Sequence, residues 1–192
     1  MQTLMKFRIP LRVIITAMGL LLGGAACHRV DDFVETKTNA EKGDYRAQYG
    51  LGLAYESGDH VERDFVEAAK WYRKSADQGY DRAQDALGWL YRDGKGVRQD
   101  DNEADHWFRL AANQGHANAQ TILAVQYAAG RGVPHDYVQA YRWAFLANKQ
   151  GNIQAARLME EFKKEMSSSQ VADAEHQAGE FVPKRSAVPP GN

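Results

Sequence analysis

Residues 79–114 read GYDRAQDALGWLYRDGKGVRQDDNEADHWFRLAANQ, and this stretch decides the fold because the chain repeats it on both sides. The preceding segment, Gly43–Gln78, reads GDYRAQYGLGLAYESGDHVERDFVEAAKWYRKSADQ. The following one, Gly115–Gln150, reads GHANAQTILAVQYAAGRGVPHDYVQAYRWAFLANKQ. The three units align without a gap on a 36-residue period, and 11 columns are identical in all of them. These columns start at Gly43, Ala47, Gln48, Leu51, Tyr55, Gly58, Val61, Asp64, Ala68, Trp71 and Gln78. Self-similarity at such a period marks a stack of supersecondary units rather than one irregular core.

Each unit reads as two helices. Ala47, Leu51 and Tyr55 recur at three- and four-residue steps, as do Ala68, Trp71, Tyr72 and Ser75. Both are apolar stripes on a 3.6-residue period. Gly58, Gly94 and Gly130 stand where the first helix ends and a left-handed residue is wanted. Asp64, Asp100 and Asp136 stand at the start of the second, where a carboxylate caps free backbone N–H groups. Gly79, Gly115 and Gly151 close the second helix. A single hairpin cannot bury its stripe alone, but stacked neighbours bury a continuous core. The expected fold class is therefore all-α: an α-solenoid of helix-turn-helix repeats, with Trp71, Trp107 and Trp143 as a structural ladder.

The ends depart from the period. Residues 27–42 read as an N-terminal capping half-repeat, with Ala40 in the column of Ala76 and Ala112. Residues 151–182 read as a degenerate fourth repeat followed by a capping helix, which Ser167 and Gln170 open as a capping box. Residues 183–192, PKRSAVPPGN, read as a disordered tail.

Residues 1–26 read as an export signal. Lys6, Arg8 and Arg12 precede VIITAMGLLLGGAA, residues 13–26, which carry no charge. That run is shorter than the roughly 20 apolar residues a spanning helix needs, and its basic front and small-residue end suit cleavage. An uncleaved anchor is the rival reading. The chain has one cysteine, Cys27, so no internal disulfide forms. Net charge is −1 over 192 residues. The leader holds three of the 24 basic residues and none of the 25 acidic ones, so the remainder is about −4. Such a balance argues against nucleic acid as the partner, since that needs a basic stripe.

With A-x-x-x-L-G-x-x-Y-x-x-G in the first half of each unit and D-x-x-x-A-x-x-W-[YF] in the second, the chain resembles the Sel-1-like repeat proteins, relatives of the tetratricopeptide repeats. In the third unit, Ala124 and Asn148 depart from the pattern. The resemblance implies an interaction module whose first helices line a concave groove. The variable outward columns of those helices supply the candidate protein-binding residues: Arg46, Tyr49, Leu53, Arg82, Asp85, Trp89, Arg92 and Val125. Leu53, Trp89 and Val125 share one column and form either an apolar row in the groove or plain packing between first helices. Trp and Arg are enriched at binding hot spots. LLGGAAC, residues 21–27, resembles a bacterial lipoprotein signal, with Gly24 where the family pattern has Leu. It implies lipidation of Cys27 and an outer-membrane destination; the alternative is a soluble periplasmic protein.

No catalytic constellation emerges. No two of the six histidines stand at metal-ligand spacing, and no G-x-S-x-G, S-x-x-K or Walker loop occurs. The expected function is a monomeric, non-catalytic adaptor or scaffold of the bacterial cell envelope that needs no cofactor and binds an unidentified protein or peptide. Two alternatives differ in class. Some cysteine-rich secreted members of the resembled family are credited with β-lactam-directed activity, but their helix pairs are stapled by cysteines that this chain lacks. End-to-end self-association is the other, against which the charged run EEFKKE, residues 160–165, argues.

Overall fold

The computed structural model describes residues 24–184, with side chains from Asp32 onward. The expected signal, residues 1–23 of it, and the side chain of Cys27 lie outside the described residues. Among those described the chain is all-helical. Helix α1 (Gly24–Glu41) precedes three hairpins: α2 (Tyr45–Ser57) with α3 (Phe65–Asp77), α4 (Asp81–Asp93) with α5 (Asp101–Asn113), and α6 (Ala117–Ala129) with α7 (Tyr137–Asn148). Helix α8 (Ile153–Phe162), a 3-10 turn (Lys163–Glu165) and α9 (Ser168–Gly179) close the stack. From α1 to α8, helices adjacent in sequence pack on each other, and α9 folds back onto α7. No described helix is long and apolar enough to cross a membrane.

The caps follow the repeat. Asp64 accepts from the amides of Val66 and Glu67 at 2.8 and 3.1 Å. Asp100 and Asp136 do the same one and two periods later. A carboxylate there satisfies two donors that the helix itself cannot. Gly58, Gly94 and Gly130 take left-handed φ values of 79°, 66° and 65°. Ser167 and Gln170 form the reciprocal capping box.

The invariant glutamines hold the joins. The Gln48 side-chain amide donates to the carbonyl of Ala40 at 3.2 Å and accepts from the Gln78 amide at 2.7 Å. Gln84 repeats this with Ala76 and Gln114, at 3.2 and 2.7 Å. Gln120 repeats it with Ala112 and Gln150, at 3.2 and 2.9 Å. Each buried glutamine thus bridges the last turns of two successive second helices. It adds a second donor to a carbonyl that also accepts the amide of Gly43, Gly79 or Gly115. Ala40 on α1 serves as Ala76 and Ala112 do, so α1 acts as the second helix of a preceding unit.

Glycine and aromatic columns are coupled. A methyl group at Gly52 would sit 2.5 Å from the Tyr72 ring, and at Gly88, 2.7 Å from Phe108. Both rings are fully buried. In the third unit the buried ring belongs to Tyr141, three residues upstream, and Ala144 stands in the column of Tyr72 and Phe108. No ring in that column then presses on position 124, which explains why Ala124 replaces glycine there.

The tryptophan ladder takes a different form from the one expected. Lys74 lies 3.7 Å over the Trp71 ring, Arg73 4.8 Å over Trp107, and Arg142 4.8 Å over Trp143. Lys74 and Arg142 stand on the same helices as the rings they meet, whereas Arg73 reaches from α3 across the join, where it also bonds the Tyr91 hydroxyl. Trp143 completes its packing edge-on to Phe181 at 5.8 Å. Order extends past the expected boundary at 182: the Lys184 amide donates to the carbonyl of Asn113 at 2.9 Å.

Two outcomes test this packing by urea denaturation. Gly88→Ala destabilises the chain by about 1–3 kcal/mol, because Phe108 is locked in the core, whereas Ala124→Gly costs about 1 kcal/mol or less, the helix-propensity difference alone. Gln84→Met, which keeps the volume but removes the bonds to the Ala76 carbonyl and from the Gln114 amide, costs about 1–3 kcal/mol.

Candidate protein-binding face

The first helices, α2, α4 and α6, carry the eight candidate residues. The repeat places Leu53, Trp89 and Val125 at equivalent positions, and their exposures are 42%, 38% and 38%. Between α4, the first turns of α5 and α8, and α6 lies a cleft of about 900 Å³. Trp89, Ile122 and Val125 form its apolar wall, and Arg92, Asn118 and Asn152 are among its polar residues. Its size falls within the range of ordinary ligand-binding clefts.

Trp89 is anchored from below and open above. Its ring meets Phe108 edge-on at 5.7 Å, and the Arg92 guanidinium lies 3.7 Å over its face. An exposed cation–π contact of this kind contributes about 0.5–1 kcal/mol and holds the guanidinium with N–H groups free for a ligand. Arg46 and Arg82 are exposed at equivalent positions on α2 and α4.

Tyr49 and Asp85 are placed otherwise. The column they share faces the join between repeats rather than the open face. Tyr49 packs between Tyr72 and Tyr80 at 5.6 and 5.3 Å. Its hydroxyl pKa is raised, first by burial and then by the neighbouring Tyr80. One period on, Asp85 is buried, with its carboxylate 3.6 Å from the His116 imidazole. Helical periodicity brings both residues near the groove, and the next repeat then covers them. The remaining six candidates are on the open side.

Other cleft residues escaped sequence reasoning. Asp101 and Asp105 come from α5, Arg131 from the loop after α6, and Asn152 and Gln154 from the start of α8. They lie outside the first-helix columns of the three full repeats, and the packing of one unit on the next brings them together. The column of Asn152, with Asp44 as its first member, supplies caps in two units, which was its only signal.

The Sel1 repeat family model matches the chain three times, at residues 46–80, 81–116 and 117–152. The chain belongs to the Sel1 repeat family. Among solved structures it is similar to a protective antigen of uropathogenic Escherichia coli strains that displays an SLR fold, with 32% identity and a TM-score of 0.71. That match covers 82% of this chain and 34% of the antigen, so this chain spans about a third of its length. It is also similar to a Sel1 repeat protein from Oxalobacter formigenes, with 38% identity and a TM-score of 0.63, over 68% of this chain and 98% of the other. No curated protein matches the chain. Sel1 repeats are generally protein-interaction modules, and their fold is typically a non-enzymatic scaffold.

The exposure of Trp89 gives an expected outcome. Trp89→Ala keeps the far-ultraviolet circular dichroism spectrum and costs about 1–2 kcal/mol in chemical denaturation. Trp107→Ala, deep in the stack, costs about 3–5 kcal/mol.

Proposed function

We propose that this Sel1 repeat protein is an exported adaptor of the bacterial cell envelope that binds a partner protein or peptide along the face of Leu53, Trp89 and Val125. The observation that carries this reading is the row itself. Three large apolar side chains stay exposed in one column while the equivalent core columns are buried. Beside them lies a cleft rather than a flat surface. An apolar patch with a polar surround marks an interaction site more often than a packing defect. Trp89 with Arg92 stacked on it supplies the kind of anchor that dominates binding energy.

Export rests on the leader: three cations, then an uncharged run ending in small residues before Cys27. Lipidation of Cys27 would tether the solenoid to a membrane surface through α1 and leave the repeats free to recruit a partner. Globomycin treatment, which blocks lipoprotein signal cleavage, separates the anchored form from a soluble periplasmic one.

The function is tested by capture from envelope extract with the full chain carrying a C-terminal tag, beside its Trp89→Ala variant. A partner held by the parent chain and lost by the still-helical variant is the expected result. Equal capture by both removes the groove from the mechanism.

A further inference from the structure

The charges around the apolar row are one-sided. Arg46 and Arg82 stand seven residues before Leu53 and Trp89 in their helices, about 10 Å along the axis. Arg92 stands one turn after Trp89, and Arg131 rims the cleft beyond Val125. None of these four guanidinium groups has a carboxylate partner among the described residues. Of the acids on the same helices, three face a partner, and Asp81 beside Arg82 has no ion-pair partner among the described residues. Glu56 accepts the Tyr72 hydroxyl, Asp85 faces His116, and Asp93 holds Lys95 at 2.9 Å. On the cleft wall, Asp105 is held by Arg109 at 2.7 Å, leaving Asp101 in the first turn of α5 as the remaining acid. A cationic face on a chain of net charge −1 is not a consequence of bulk composition.

On the reading that this face binds a partner, we infer that it takes an acidic, extended segment of a protein whose apolar side chains alternate with pairs of carboxylates. A chain in the extended polyproline II form, with about three residues per turn, turns every third side chain to the same side. A segment crossing α2, α4 and α6 in that form offers its apolar side chains to Leu53, Trp89 and Val125. The intervening residues point toward the arginine rows on either side. Arg92 is the strongest point of that recognition. Its planar fork suits a carboxylate bidentately, and stacking on Trp89 orients it beforehand. A nucleic acid satisfies the arginines but leaves the apolar row uncovered. A flat anionic bilayer touches the rims of the cleft but not its floor.

The test is fluorescence anisotropy with the full chain and four labelled probes. Three are nine-residue peptides, built from three Leu-Glu-Asp, three Leu-Ser-Gly or three Leu-Lys-Arg units. The fourth is an oligothymidylate of similar length. The expected result is saturable binding of the acidic peptide alone, weakened about tenfold or more by Arg92→Glu. Arg82→Glu and added salt weaken it as well. Circular dichroism checks that the charge-reversed variants keep their helices. Equal or tighter binding of any other probe, indifference to Arg92→Glu, or no binding of the acidic peptide overturns the inference. If the neutral or basic peptide binds and is lost in Trp89→Ala, or envelope capture alone depends on Trp89, the groove stands and only its acidic preference falls. If Trp89→Ala changes neither assay, the groove reading falls as well.

Discussion

The three joins from α1 to α6 each turn on one buried amide. A glutamine in the first helix of a unit reaches back to a carbonyl in the last turn of the preceding second helix. It reaches forward to a glutamine at the end of its own second helix. Burying such a group is tolerable only because donor and acceptor are both used. The requirement sets the relative height of three successive helices and thereby the rise per repeat. Sliding one hairpin past the next breaks both bonds of that amide in an apolar setting. That constraint explains why a polar residue is as invariant across the units as the leucines and tryptophans are.

Within a hairpin the corresponding constraint is steric. Gly52 and Gly88 let a ring from the facing helix come closer than any side chain would allow. The third unit meets the same need for volume with Tyr141 and has an alanine at 124. A change in one helix is thus answered in the other, as expected where interiors are packed to crystal-like density. The loops within the hairpins obey a similar rule. A Cβ at Gly96 would fall 2.0 Å from the Phe65 carbonyl oxygen, so the loop lies directly on the start of the preceding second helix. The first unit has His60 in that column, at a left-handed φ of 63° and stacked on Phe33 of α1.

These constraints leave the open face of the first helices free to vary, and the candidate site occupies it. The columns that hold the stack together are the constant ones. Leu53, Trp89 and Val125 differ from unit to unit because their size is not dictated by a neighbour in the core. Division of labour between constant and variable columns allows a repeat array to change its partner without changing its architecture.

The period, the helix boundaries, the aspartate and glycine caps and the membership of the chain in its family were all determined by sequence alone. They depend on contacts within one unit or on identity between units, which a linear pattern records. Six of the eight candidate residues were placed on the open face for the same reason, since helical periodicity alone assigns a side of the helix. Only the tertiary structure decided the rest. Tyr49 and Asp85 face the join because the following repeat covers that side, and Asp101, Arg131 and Asn152 enter the cleft because neighbouring units set α5, the loop after α6 and α8 around it. Trp107 packs against Arg73 rather than against another tryptophan, because the arginine crosses a join. Each of these depends on how one unit sits against the next, a relation between residues about 30 or more apart that no single helix period contains.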